Sequence, residues 1–126
     1  MCLPATVATN DDYTKFVDTS DEWIRTRTGM RERHISDGSP EYLLSVGSAK
    51  EAIADAGLTA EDIDLIIHTS VTPDYVTPSM SCIVQGLLGA SNAACIDINC
   101  ACAAFVYALD MARRYLITGD HKNVLI

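Results

Sequence analysis

The sequence predicts an α/β fold: a parallel-rich sheet covered by helices on both faces. Three observations predict it. From Leu65 onward, short apolar runs alternate with longer segments of helical period. The order strand, helix, strand, helix, strand implies crossover connections and a parallel sheet. The run Leu65-Ile66-Ile67-His68-Thr69 is nearly continuously apolar, not alternating, as expected of a strand buried on both faces. Glycines follow the helical segments at Gly57, Gly89 and Gly119, where a helix needs a terminator.

Taken in order, Asn10 followed by Asp11 and Asp12 reads as a helix start running to about Val17. Ser20-Asp21-Glu22 is a second start, a capping serine with two acids in the first turn. The segment from Trp23 to Ile35 carries Arg25, Arg27, Arg31 and Arg33 around a turn at Thr28-Gly29, the main basic cluster. Ser39-Pro40-Glu41 opens a long helix with Pro40 at its first helical position. Its apolar face is Leu43, Leu44, Val46, Ala49, Ala52, Ile53 and Ala56. Thr59-Ala60-Glu61-Asp62 caps a short turn before the first strand. A loop with Pro73 and Pro78 follows, then a helix over 79–88, a strand over 93–98, a helix over 103–118 and a third strand from Asn123. The 103–118 helix is apolar nearly all round, interrupted by Asp110, Arg113 and Arg114 on one stripe. Such a helix is expected to be buried in a larger body. Both ends read as cut: the chain begins Met1-Cys2-Leu3-Pro4 in a loop, and its apolar final strand would leave a sheet edge unpaired.

Composition narrows the classes. A chain of 126 residues suits one domain, and 48% hydrophobic with 21% charged residues is globular. The net charge of −8 argues against nucleic acid or an anionic membrane as the main partner. No apolar run approaches a membrane span and no signal region opens the chain, so a cytoplasmic protein is expected. The five cysteines, Cys2, Cys82, Cys95, Cys100 and Cys102, suggest free thiols in a reducing compartment. Cys100 and Cys102 form a C-x-C pair, but His34, His68 and His121 are scattered, and no metal site or cofactor is expected.

Cys102 is the candidate nucleophile. It follows an apolar strand and precedes an apolar helix, where the positive end of the helix dipole favours thiolate. The alternative is a small buried hydrophobe, the usual role of a free cysteine. Cys95 and Cys100 read as core residues. A thiol nucleophile needs a base or strong activation, and none of the three histidines can be placed beside Cys102 by sequence. His68 reads as a satisfied histidine at the sheet end, and His121 as a surface-turn residue. Trp23, the only tryptophan, is either a surface-packed aromatic or a platform for a ligand ring, with Arg25, Arg27 or Arg31 meeting phosphates. As a group, the arginines also read as a solvated face.

Three separated segments carry a resemblance. They are Val17-Asp18-Thr19-Ser20-Asp21-Glu22-Trp23-Ile24 with Arg27-Thr28-Gly29-Met30-Arg31-Glu32-Arg33-His34, then Thr72-Pro73-Asp74-Tyr75 with Pro78-Ser79, then the segment around Cys102. In this order they resemble the beta-ketoacyl-ACP synthase III family of condensing enzymes, across essentially the whole chain but less than half of an intact member. The resemblance implies the N-terminal half of a thiolase-like fold, so that residues 1–126 form a partial domain truncated at both ends. It implies an acyltransferase of fatty acid biosynthesis, active as a homodimer, that condenses an acyl-CoA such as acetyl-CoA with malonyl-ACP and so works with acyl carrier protein. On this resemblance Cys102 takes the acyl group as a thioester, activated by the helix after it. Trp23 stacks on the CoA adenine, Thr19 and Arg27 contact the CoA head group, and the loop at Val76 and Thr77 reaches the neighbouring subunit's acyl pocket. The family's glycine two residues after the cysteine is Ala104 here, a methyl that narrows the approach to the thiol or stiffens the turn. The family's catalytic histidine and asparagine lie in the second half and match none of His34, His68 or His121, so the chain alone is expected to be an inactive fragment. Two other readings stand beside this one: a non-catalytic dimerisation or CoA-binding module, and a polyketide-type starter condensing enzyme.

Overall fold

The computed structural model describes residues 2–126; Met1, the first residue of the expected N-terminal loop, lies outside them. The described residues form two compact units, Cys2–Ser39 and Pro40–Ile126.

The first unit contains strand β1 (Thr6–Thr9), the one-turn helix α1 (Asn10–Tyr13), helix α2 (Asp21–Thr28) and strand β2 (Glu32–Ile35). β1 and β2 pair antiparallel, with Thr6 opposite Ile35 and Thr9 opposite Glu32. Neither strand is legible in the sequence. Thr6-Val7-Ala8-Thr9 is short, and Glu32-Arg33-His34-Ile35 is mostly charged, so each is a strand because of its partner and not because of its own pattern. Helix α1 ends at Tyr13, well before the expected Val17. The Tyr13 carbonyl still accepts from both Phe16 N–H and Val17 N–H at 3.0 Å, so the chain continues to Val17 as a turn and not as regular helix. Its cap is Thr9 rather than Asn10: the Thr9 N–H and hydroxyl donate to the Asp12 carboxylate at 2.9 and 2.7 Å. α2 begins as expected, with the Ser20 hydroxyl accepting from Trp23 N–H at 3.1 Å, and ends at Gly29, whose φ of 75° is the left-handed conformation glycine takes without a Cβ clash.

The second unit contains α3 (Glu41–Asp55), a 3-10 turn at Ala60–Asp62, β3 (Leu65–Thr69), α4 (Met80–Leu88), β4 (Ala94–Ile98), a second 3-10 turn at Ala101–Ala103, α5 (Ala104–Thr118) and β5 (Val124–Leu125). Pro40 is the cap of α3 with ψ of 139°, so the helix starts at Glu41, one residue later than expected. The three strands are parallel in the order β4-β3-β5, so β3 is central. Its side chains alternate between two cores. Ile66 packs with Ile53 of α3, Ile63, Ala90 and Ala93 on one face. Leu65 and Ile67 pack with Ala108 and Ala112 of α5 on the other. The expected sheet covered on both faces is therefore present.

α5 is buried along one stripe only. Ala104, Ala108 and Ala112, spaced by one turn, are buried and let the helix lie close against the sheet. Phe105, Val106, Tyr107, Leu109 and Ile117 point outward and are all more than half exposed. Among the described residues no helix is long and apolar enough to cross a membrane.

Candidate active site

Strand β4 delivers the chain to Cys102. The strand stops at Ile98, and Asn99 and Cys100 lead into the 3-10 turn that holds Cys102 at its centre. The Ala103 N–H closes that turn on the Cys100 carbonyl at 3.1 Å. Ala101 adopts a φ of 47°, the left-handed region that costs an L residue on the order of 1–2 kcal/mol. This local reversal leaves Cys102 exposed, ahead of the fifteen-residue α5. No side chain caps that helix and no acid lies in its first turn, so its positive end is left unneutralised beside the thiol segment. Cys102 is therefore not the small buried hydrophobe of the alternative reading. Ala104, where a glycine was the expected pattern, is buried and helical with φ of −56°, a backbone that does not require glycine.

Cys100 corrects an expectation: it is exposed, because the strand that would have turned it inward ends two residues earlier. Cys95 is half-buried in β4. Burial, and then the neighbouring Cys82 thiol, push its pKa up to about 11. Cys82, Cys95, Cys100 and Cys102 are free thiols.

Asp97 is a structural anchor that the sequence pattern does not reveal. It sits in β4 opposite His68 of β3. Its carboxylate accepts from Met80 N–H at 2.7 Å and Ser81 N–H at 2.9 Å, the first two residues of α4. Desolvation opposes its ionisation, but the hydrogen bonds from Ser81 and Met80, with the nearby His68, outweigh that and hold its carboxyl below the ordinary value. The only signal was a lone acid inside an otherwise apolar strand. Through it the strand leading to Cys102 anchors the end of the loop at residues 70–79. The start of that loop is anchored too: the Ser70 hydroxyl donates to Glu41 at 2.9 Å, and the Asp74 carboxylate accepts from Tyr42 N–H at 3.0 Å at the start of α3. Between these ties Val76 stands out, 87% exposed. Asp97→Ala is expected to cost on the order of 1–2 kcal/mol at neutral pH, since two buried N–H donors lose their acceptor. Because the folded pKa is depressed, this contribution is complete above the ordinary value of 3.8 and is lost as pH falls through the lower folded value. Urea unfolding of both proteins checks it: the gap in midpoint should be present at pH 7 and close on acidification.

A recess of about 260 Å³ lies at the C-terminal ends of β3 and β4, where open α/β sheets place ligands, lined by His68, Ser70, Tyr75, Val76, Asp97 and Asn99 among others. Cys102 is not among its lining residues. Each histidine has contacts of its own. His68 Nε2 lies 3.3 Å from Ser45 Oγ and 3.5 Å from Glu41 Oε1, the satisfied sheet-end histidine expected. His121 packs edge-on against Tyr115 with ring centroids 5.0 Å apart. His34 Nδ1 lies 2.6 Å from the Pro4 carbonyl.

In the first unit, α2 brings Trp23 and Arg27 together. The four-residue spacing places the Arg27 guanidinium 4.3 Å from the Trp23 ring centroid, a cation–π contact. Trp23 stays 52% exposed, so it is a ring available for stacking with a cation at its side. Thr19 is half-buried just ahead of the Ser20 cap. Arg25 lies 3.8 Å from Asp21. Arg33, grouped with the others in the sequence, has a different role: it stacks on Tyr13 at 4.5 Å and donates to Asn10 at 2.9 Å.

Comparison with known proteins bears on both units. The family model described as 3-oxoacyl-[acyl-carrier-protein (ACP)] synthase III matches residues 96–126, the stretch that includes Cys102. Beta-ketoacyl-[acyl-carrier-protein] synthase III 1 of Bacillus anthracis is 46% identical over 125 residues, covering 98% of this chain and 40% of that protein. The crystal structure of 3-oxoacyl-[acyl-carrier-protein] synthase III from Aquifex aeolicus VF5 matches with a TM-score of 0.90 and 46% identity, over 97% of this chain and 40% of that one. The priming beta-ketosynthase from the R1128 polyketide biosynthetic pathway matches with a TM-score of 0.82 and 32% identity, over 90% of this chain and 34% of that one. The chain thus spans about 40% of the length of the curated relatives it matches.

Proposed function

Because the chain belongs to the beta-ketoacyl-ACP synthase III family as its N-terminal part, with a thiolase-like α/β fold, we propose that it supplies the acyl-accepting half of that condensing enzyme. The observation that carries the reading is Cys102, exposed on a tight turn directly ahead of a long helix with an uncapped N-terminus. In the first step the Cys102 sulfur attacks the carbonyl carbon of an acyl-CoA such as acetyl-CoA; a thioester forms and the CoA thiol leaves. In the second, malonyl-ACP loses carbon dioxide, its enolate carbon attacks the Cys102-bound acyl group, and the cysteine is released with a beta-ketoacyl-ACP as product. Acyl carrier protein is thus a partner.

Trp23 is the platform for the CoA adenine, and Thr19 and Arg27 meet its head group. Arg27 already rests on the indole, so the base has the ring and the phosphates have a cation from one helix face. The projecting loop at Val76 and Thr77 reaches the acyl pocket of a second copy of the protein, and the exposure of Val76 suits a residue that meets a partner. The outward apolar residues of α5 likewise suit further protein around them. No metal or cofactor takes part in this scheme.

The test is intact-mass spectrometry of the purified chain after incubation with acetyl-CoA. One acetyl group per chain is the expected result; an unmodified mass from a folded sample would sink the proposal. The similarity to a priming ketosynthase favours a second reading, a starter enzyme that loads another acyl group. Competing acetyl-CoA against longer acyl-CoAs in the same assay separates the two.

A further inference from the structure

Asn10 is the only residue of the unit Cys2–Ser39 that is buried, with 1% of its surface exposed. This unit is therefore organised around a polar side chain and not around an apolar core. The Asn10 amide is fully used as a donor: Nδ2 donates to Asp21 Oδ1 at 2.8 Å and to the Met30 carbonyl at 2.8 Å. Its oxygen accepts from Arg33 Nη1 at 2.9 Å, and its backbone N–H donates to the Arg31 carbonyl at 3.2 Å. These partners leave no ambiguity in the amide's orientation, because a carboxylate and a carbonyl need the NH2 group and a guanidinium needs the oxygen.

The two acceptors have a particular placement. Asp21 is the first residue of α2, and Met30 directly follows Gly29, its C-cap. One buried amide thus grips both ends of the eight-residue helix that carries Trp23 and Arg27. Arg33, stacked on Tyr13, holds the amide oxygen from the far side and resists rotation of the amide. We propose that Asn10 is a positioning residue: it sets the orientation of α2, and so the affinity of the Trp23–Arg27 pair for the adenine nucleotide part of CoA. The inference rests on the reading of that pair as a CoA contact. It assigns Asn10 no contact with the ligand, and acyl transfer at Cys102 is not part of its role.

Trp23 is the sole tryptophan, so its fluorescence reports on this helix alone. CoA is titrated into the 126-residue chain and into Asn10→Asp, which is nearly isosteric but turns a carboxylate toward Asp21 and the Met30 carbonyl. The expected result is CoA binding weakened roughly tenfold or more, the scale of a small misplacement of a recognition group. The rate of Cys102 acetylation at saturating acetyl-CoA should be retained, so the loss appears in the acetyl-CoA concentration needed for half the maximal acetylation rate and not in that maximal rate. Asp21→Ala and Asp21→Asn provide a second arm should Asn10→Asp fail to fold by circular dichroism. The asparagine keeps an acceptor for Asn10 and should bind CoA like the parent; the alanine should not. Parent-like binding by folded Asn10→Asp and Asp21→Ala overturns the clamp while leaving the CoA reading intact. Equal loss in Asp21→Ala and Asp21→Asn also overturns it. A parent chain whose Trp23 emission ignores CoA overturns the CoA reading, and the clamp with it.

Discussion

Cys102→Ser is expected to abolish acetylation of the chain by acetyl-CoA, whereas serine at Cys82, Cys95 or Cys100 leaves it in place. The contrast is informative because Cys82, Cys95, Cys100 and Cys102 are all free thiols. Cys95, half-buried with its pKa pushed up to about 11, holds only about one thiolate in a thousand at pH 8. Cys82 is exposed but lies in the first turn of α4, away from the β4–α5 turn. Cys100 is the real competitor, exposed and two residues from Cys102. It precedes the left-handed Ala101, however, whereas Cys102 follows it and adjoins the open end of α5. A serine hydroxyl in place of Cys102 stays protonated at neutral pH, so the adduct should fall below detection and not merely decrease. Peptide mapping of the acetylated parent gives the same answer by another route. Acetylation that persists in Cys102→Ser, or that moves to Cys100 in the parent, would displace Cys102 from the proposed role.

The second large effect concerns condensation. When malonyl-ACP is added to the acetylated chain, the thioester is expected to persist, and beta-ketoacyl-ACP should form at least about a thousandfold more slowly than with a full-length relative. The estimate follows from the worth of donors aimed at developing negative charge, on the order of a hundred- to a thousandfold for each one lost. Decarboxylation leaves an enolate that needs such donors. His68 lies against Ser45 and Glu41 and His34 at the Pro4 carbonyl, while the His121 ring packs edge-on against Tyr115. Acyl transfer and condensation are therefore expected to separate in these 126 residues. Release of carbon dioxide from malonyl-ACP at the rate of a full-length relative would show that a stabilising group had been overlooked.

Much of the second unit was legible because its signals are local. Leu65–Thr69 is apolar at consecutive positions and became the central strand. Ser20, Ser79, Gly89 and Gly119 mark helix ends by chemistry that acts over one turn. Residues whose partners are distant in sequence were not legible. Asp97 caps a helix sixteen and seventeen residues earlier. Asn10 reaches Met30 and Arg33, twenty and twenty-three residues on. β1 and β2 pair across more than twenty positions without an apolar pattern of their own. In each case a polar group is matched to a polar group, and the pairing leaves no periodicity to read.

The sequence by itself determined the fold class, the order of the parallel-sheet elements and Cys102 and Trp23 as candidate residues, while Arg27 was singled out from its neighbouring arginines only by the family resemblance. Hydrophobic period, capping chemistry and residue type are properties of neighbouring positions, and neighbours are what a sequence displays. Only the tertiary structure decided that Cys102 is exposed and Cys100 with it, that Arg27 rests on Trp23 while Arg33 does not join it, and that one buried asparagine holds both ends of their helix. Those outcomes depend on where the chain turns back on itself, and hydrogen-bond geometry between distant residues settles that.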